Sequence, residues 1–203
     1  PTDVAALTTK VRMLLSDNNV EDALTTARAA ASANPKSIDS QMALASVYLA
    51  RQESEEARKA LNNALQLDPN NIQAQLELAK LHLDRGELDT SLDFAKLGVK
   101  TDPDNLDAQL MLIQSLAARS DDDGRAEAAL KPLLAKYAKS ARVYSLAGKL
   151  AINRNDQASA RRHWETALQL DPKNAAALAG LSALAVEADR PAEARAIVDA
   201  RLR

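Results

Sequence analysis

Four prolines divide the chain at nearly constant intervals. Pro35, Pro69 and Pro103 are evenly spaced, about 34 residues apart, and Pro172 follows two such intervals later with one extra residue between. The stretch from Ala64 to Asn71 returns almost unchanged from Ala167 to Asn174, as Ala-Leu-Gln-Leu-Asp-Pro-Lys-Asn. A fixed period of this length predicts a repeat architecture, in which each unit packs only against its neighbours.

The register of the prolines places every repeat. Ala138 stands where a proline is missing, and the one extra residue is assigned to the stretch from Ser120 to Gly124. We expect a single domain over residues 1–203, composed of six segments: 4–37, 38–71, 72–105, 106–140, 141–174 and an incomplete 175–203.

Composition indicates helices and narrows the possible functions. Aromatic residues make up only 2% of the chain and alanine and leucine are abundant, which favours closely packed helices over sheets. A net charge of −2 gives no basic footprint for nucleic acid, and no apolar run approaches the length of a membrane span. The absence of cysteine excludes disulfides and thiolate metal sites, but it leaves the compartment open between cytoplasm and periplasm, with the periplasm slightly favoured.

With this period and these proline turns, the sequence resembles the tetratricopeptide repeat family. The family places a small residue early in the second helix of each repeat, and this chain has a small residue at all six positions: Ala23, Ala57, Ser91, Ala126, Ala160 and Ala194. Lys10 and Val11 make the first repeat degenerate, and most of the family's large aromatics are missing. The resemblance implies an all-α, right-handed α-solenoid of about six helix-turn-helix repeats.

Several single residues have a structural interpretation. Trp164 falls on a packing position and is expected in the core. The asparagines after the Asp-Pro turns are expected to cap the next helix, and Pro191 suits a first helical turn. Pro132 is expected to kink or shorten its helix, and Asp123 or a neighbour to cap the helix that follows.

Catalytic and metal-binding groups are scarce. The only histidines are His82, expected at a packing position, and His163, expected in solvent. The run Asp121-Asp122-Asp123-Gly124 lacks the alternating ligands and late glutamate of a calcium loop. We therefore expect no enzyme activity, no cofactor and no metal.

The family resemblance assigns partner contacts to the concave face formed by the first helices. Besides Arg12, Ser46 and Gln73, the carried-over positions include the residues that we take as the candidate partner-binding surface: Met42, Leu49, Leu76, Lys80, Leu83, Leu110, Met111, Gln114, Arg142, Leu146, Lys149 and Asn153. The apolar members disfavour the family's carboxylate clamp and favour an amphipathic helix or an extended segment with apolar anchors. The alternative is that neighbouring repeats bury several of these leucines.

The leading functional expectation is a non-enzymatic scaffold that binds a partner protein or peptide, with neither nucleic-acid binding nor direct membrane insertion. The alternative is an accessory domain of a bacterial envelope machine for secretion or polysaccharide export, with the active or pore domain outside these residues. Carbohydrate binding is disfavoured because few aromatic platforms exist. We also expect the chain to be a fragment, or to self-associate through its uncapped last repeat.

Overall fold

The structure is a computed structural model that describes residues 3–119 and 124–202. Within these ranges the chain forms twelve α-helices and no strand, which confirms the predicted all-α helical-repeat fold. The helices are α1 (Val4–Ser16), α2 (Val20–Ala33), α3 (Ile38–Ala50), α4 (Ser54–Leu67), α5 (Ile72–Asp84), α6 (Leu88–Thr101), α7 (Leu106–Ala117), α8 (Arg125–Lys136), α9 (Ala141–Asn153), α10 (Gln157–Leu170), α11 (Ala175–Glu187) and α12 (Pro191–Leu202).

Consecutive helices pair as hairpins, and the chain forms two compact units. The first unit ends at Met111 and the second begins at Leu112. In the first unit α1 packs on α2, α3 on α4 and α5 on α6, and α3 also contacts α1 and α2. In the second unit α9 packs against α8, α10 and α11.

Asparagine caps start the helices that follow the proline turns, as the sequence predicted. The side chains of Asn71, Asn105 and Asn174 accept hydrogen bonds from backbone N–H groups three residues later, at 2.9, 3.0 and 3.0 Å. Ser37 caps α3 in the same way at 3.3 Å. Each cap satisfies a helix N–H that has no partner within the helix.

Small residues hold the paired helices close together. The six small residues predicted from the repeat register are all buried, with relative exposures of 0% for Ala23, Ala57, Ser91, Ala126 and Ala160 and 9% for Ala194. A longer side chain at these points would separate the helix axes. The structure therefore confirms the packing role assigned to these positions.

Trp164 lies in the core of the second unit, as predicted. It is 6% exposed, and its indole Nε1 donates a hydrogen bond to the carbonyl of Ser145 at 3.1 Å. Gly148 and Gly180 contact the ring, and no Cβ would fit at either position. The ring and two glycines thus form one packing unit across α9, α10 and α11.

Two prolines and the segment before α8 were given structural interpretations from the sequence. Helix α12 begins at Pro191, as expected. Pro132 was expected to kink or shorten its helix. Helix α8 continues through Pro132 from Arg125 to Lys136, and its 12 residues make it shorter than the 14-residue second helices α2, α4, α6 and α10. Gly124 precedes α8 in a left-handed conformation with φ of 94°, and the cap expected from Asp123 lies outside the described residues.

Candidate partner-binding groove

A groove opens between α1, α3 and α5 of the first unit. Its volume is about 320 Å³. The lining residues are Ala5, Thr8, Thr9, Arg12, Asp39, Met42, Ala43, Ser46 and Gln73. Four of them, Arg12, Met42, Ser46 and Gln73, are among the concave-face positions that the family resemblance assigned.

The groove is lined by mostly polar residues together with Met42 and two alanines. Met42 is half-buried and packs against the core cluster of α3, α4 and α5. The hydroxyls of Thr8 and Ser46 donate to backbone carbonyls one turn earlier, at 3.2 and 2.9 Å. Part of Met42 is therefore available to an apolar side chain of a partner. The hydroxyls of Thr8 and Ser46 already donate hydrogen bonds within their own helices.

The repeat period also marks the groove residues that the sequence analysis missed. Ala5, Thr8 and Thr9 each lie one repeat length before another lining residue, Asp39, Met42 and Ala43 respectively. In the degenerate first repeat, the family resemblance identified Arg12 alone. Extending the period to the rest of that repeat would have identified these residues.

The predicted surface residues of the first unit differ in their exposure. Met42, Leu49, Leu76 and Leu83 are half-buried and Lys80 is exposed. All five lie on α3 or α5, but only Met42 is among the residues that line the groove.

Leu110 and Met111 correct the prediction, because they are only 4% and 8% exposed. Their helix, α7, carries apolar residues around most of its circumference, and such a helix is normally buried. Ala108 and Ile113 on the same helix are buried too. Leu110 and Met111 therefore belong to the core and present no side-chain surface to a partner.

In the second unit the polar residues of the predicted surface are accessible to solvent, whereas the apolar residue is buried. Arg142, Lys149 and Asn153 are exposed and Gln114 is half-buried. Leu146 is 6% exposed, because α9 is surrounded by α8, α10 and α11. The expectation of a leucine anchor at Leu146 is corrected accordingly.

Glutamines at a fixed repeat position hold the inner helices against the proline turns. The side-chain amides of Gln41, Gln75 and Gln109 donate to the carbonyls of Pro35, Pro69 and Pro103 at 3.3, 2.7 and 2.5 Å. Gln75 is fully buried and its amide oxygen also accepts from the hydroxyl of Thr101 at 3.3 Å. Sequence reasoning missed these residues, although they follow the same period as the prolines.

Ion pairs join successive hairpins at the ends of the first helices. Arg51 binds Glu21 and Glu53, and the equivalent arginine one repeat later, Arg85, binds Glu55 and Glu87. Hydrogen bonds from Arg58 and then from Arg85 lower the pKa of Glu55 to about 2. The network is solvent-exposed, so it orients neighbouring hairpins without contributing a large stabilisation.

Both histidines are buried or half-buried, and each lies beside an aromatic ring. His82 is 9% exposed, its Nδ1 lies 2.5 Å from Oε2 of Glu87, and its ring stacks on Phe94 at 5.6 Å. His163 was expected in solvent but is half-buried near Tyr144, and burial together with the charge of Arg162 lowers its pKa.

Neither a metal cluster nor a membrane span occurs in the described ranges. Residues 3–119 and 124–202 contain no group of three or more His, Asp or Glu side chains arranged to hold a metal ion. In the same ranges, no helix combines the length and apolar character that crossing a bilayer requires.

Helical hairpins that repeat at a constant period and interlock through small side chains define an α-helical repeat protein. Residues 38–81 and 151–203 match family models described as tetratricopeptide repeat. The chain belongs to the tetratricopeptide repeat family.

Solved structures with the same fold share little sequence with this chain. A tetratricopeptide repeat protein from Parabacteroides merdae superimposes with a TM-score of 0.89 at 17% identity, over 99% of this chain and 78% of that chain. PilW, a type IV pilus biogenesis factor, superimposes with a TM-score of 0.78 at 15% identity, over 97% of this chain and 91% of that chain. YrrB, a tetratricopeptide repeat protein with an unusual peptide-binding site, superimposes with a TM-score of 0.63 at 18% identity, over 87% of this chain and 90% of that chain. At these identities the likeness establishes the fold alone, and none of the curated proteins matches the sequence.

Proposed function

We propose that this protein is a non-enzymatic scaffold that binds a segment of a partner protein in the groove between α1, α3 and α5. The observation that carries the proposal is the position of Met42. Met42 is half-buried and lines an open groove whose other lining residues are mostly polar and come from three successive hairpins. A flexible apolar side chain in a solvent-accessible groove is a common anchor point for a partner's apolar residue.

The rest of the proposed surface continues along the same helices. Leu49, Leu76, Lys80 and Leu83 extend it on α3 and α5. In the second unit we propose a separate, polar contact surface consisting of Gln114, Arg142, Lys149 and Asn153.

The assignment of a non-catalytic role rests on how the reactive side chains are used. His82 is held by Glu87 and Phe94 within the core, and His163 is half-buried beside Tyr144. Tetratricopeptide repeat proteins are in general scaffolds that bind other proteins. Both points favour a binding function over a catalytic one.

An accessory role in a bacterial envelope machine is the second candidate. The fold likeness to PilW, a type IV pilus biogenesis factor, is compatible with such a role. This candidate shares the binding function of the groove and differs in the identity of the partner. Co-purification of the full-length protein with envelope assembly components, lost on substitution of groove residues, would support it.

The groove assignment is tested with peptides selected from a random display library against the purified chain. Replacing Met42 by Asp removes the apolar anchor, and we expect the affinity of selected peptides to fall at least about tenfold, since burial of an apolar side chain contributes about 1.5–3 kcal/mol. Gln73→Arg alters the groove wall without touching the core and should also weaken binding.

Met13→Asp is the matched control, because Met13 is 62% exposed on α1 and does not line the groove. Circular dichroism verifies that each variant is folded. Peptides that bind folded Met42→Asp and Gln73→Arg as tightly as the parent protein would overturn the proposed function.

A further inference from the structure

The two walls of the groove carry opposite charges. Arg12 projects from α1 and Asp39 from α3, and both are exposed. Arg12 donates a hydrogen bond to the hydroxyl of Thr9 at 3.3 Å, and neither charged group forms an ion pair with another described residue. Both charges are therefore available to a ligand.

The repeat register separates these charges along the groove. Arg12 occupies the same repeat position as Ser46, which lies seven residues after Asp39 on α3. With a rise of about 1.5 Å per residue, the backbone positions of the two residues are about 10 Å apart along the helix direction. On α3, Met42 lies between Asp39 and Ser46, the repeat equivalent of Arg12: it is three residues after Asp39 and four before Ser46.

The size and polarity of the groove suit an extended chain better than a helix. A volume of about 320 Å³ holds only a few side chains. An extended segment has backbone N–H and C=O groups free for hydrogen bonding, whereas a helix has satisfied its own. The carboxylate of Asp39 and the amide of Gln73 form no hydrogen bond with the described residues and can pair with such a backbone.

We propose that the groove takes an extended peptide segment in which an acidic and a basic residue flank an apolar one. The acidic side chain pairs with Arg12, the apolar side chain packs on Met42, and the basic side chain pairs with Asp39. An extended chain advances about 3.3 Å per residue, so charges three or four residues apart span about 10–13 Å. This inference rests on the proposed function and specifies the chemistry of its ligand.

The test uses capped synthetic peptides with a central leucine, measured by fluorescence anisotropy. Two residues, three or four positions apart, flank the leucine. In the mixed-charge peptides they are Glu and Lys, in either order. In the comparison peptides they are two Glu, two Lys or two Gln. We expect one mixed-charge order to bind about fivefold or more tightly than the like-charged and uncharged peptides. In the double variant Arg12→Glu/Asp39→Lys, the preferred order should reverse.

Arg28→Glu/Asp93→Lys is the matched control, because it makes the same charge changes on α2 and α6, outside the groove lining. It should leave the preference unchanged. A proline placed between the charged residues should be tolerated, because it disrupts a helix but not an extended segment.

The outcomes separate this inference from the proposed function. Binding that depends on Met42 but shows no charge preference, or that is abolished by the proline, overturns the extended mixed-charge ligand and leaves the groove function in place. Binding that is independent of Met42 overturns both.

Discussion

The indole of Trp164 fills the space that a side chain on Gly148 would need. A Cβ on Gly148 would lie 2.4 Å from the indole Nε1, and a Cβ on Gly180 would lie 2.5 Å from its Cζ2. Glycine inside a helix normally weakens it by about 1 kcal/mol relative to alanine. Here both glycines are required by the packing of a single tryptophan between three helices.

We predict that Gly148→Ala lowers the free energy of unfolding by about 1–3 kcal/mol, the usual range for overpacking a core. Urea denaturation followed by circular dichroism measures the change. Gly98→Ala is the control, since its Cβ would crowd only the movable Leu76 side chain, at 3.0 Å, and it should be close to neutral. In a Trp164→Ala background the cost of Gly148→Ala should disappear; an equal cost with and without the indole would show that the ring is not the cause.

The turns within hairpins give a second prediction. Asn18, Gln52, Gly86, Asn155 and Asp189 occupy equivalent repeat positions and all have positive φ, between 56° and 74°. A left-handed conformation costs a residue with a side chain about 1–2 kcal/mol, whereas glycine adopts it freely.

Gly86→Ala should therefore destabilise the protein by about 1 kcal/mol, although nothing lies within 4 Å of the added Cβ. Gln52→Gly should stabilise it by about 0.5 kcal/mol, because the relief of strain exceeds the added entropy of the unfolded chain. Thermal denaturation of the two variants shows whether each is more or less stable than the parent protein. Two changes of the same sign would contradict the explanation.

The buried glutamine provides a third prediction. Replacing Gln75 by Leu leaves the carbonyl of Pro69 without its side-chain donor and removes the bond to Thr101, which should cost about 1–3 kcal/mol. Gln73→Leu on the same helix is exposed and should change the stability by less than about 0.5 kcal/mol. Equal losses for the two variants, measured by urea denaturation, would remove the role assigned to Gln75.

The pH dependence of the ion-pair network is a fourth prediction. The folded-state pKa of Glu55 is lowered to about 2, below its ordinary value of 4.5, so its stabilising effect is complete above about pH 4.5 and is lost as the pH falls towards 2. We expect Glu55→Gln to melt at a lower temperature than the parent protein at pH 7, and the difference to shrink as the pH falls towards 2. A difference that stays constant over this range would contradict the assignment. Glu56→Gln, whose ion pair with Lys59 is long at 3.7 Å, is the control and should show little change at either pH.

Much of the fold was predictable because the period encodes local structure. The spacing of Pro35, Pro69 and Pro103 located the turns, and the six small positions from Ala23 to Ala194 located the contacts within hairpins. Helix caps, turns and close approaches depend on residues near in sequence, so a repeated pattern is sufficient to identify them.

The groove was predicted only in part, because exposure depends on neighbours that the repeat pattern does not describe. Met42, Leu110, Met111 and Leu146 were assigned to one surface by the same rule, yet only Met42 lines an open groove. The other three are buried, at 4%, 8% and 6% exposure.

The sequence alone therefore determined the class of fold, the register of its repeats and the residues at which its helices begin. Tertiary structure decided which first-helix side chains reach solvent, how Trp164 is held between two glycines and which charged residues line the groove. The physical reason is that helix formation and hairpin turns are set by local sequence, whereas burial is set by the packing of helices distant in the chain.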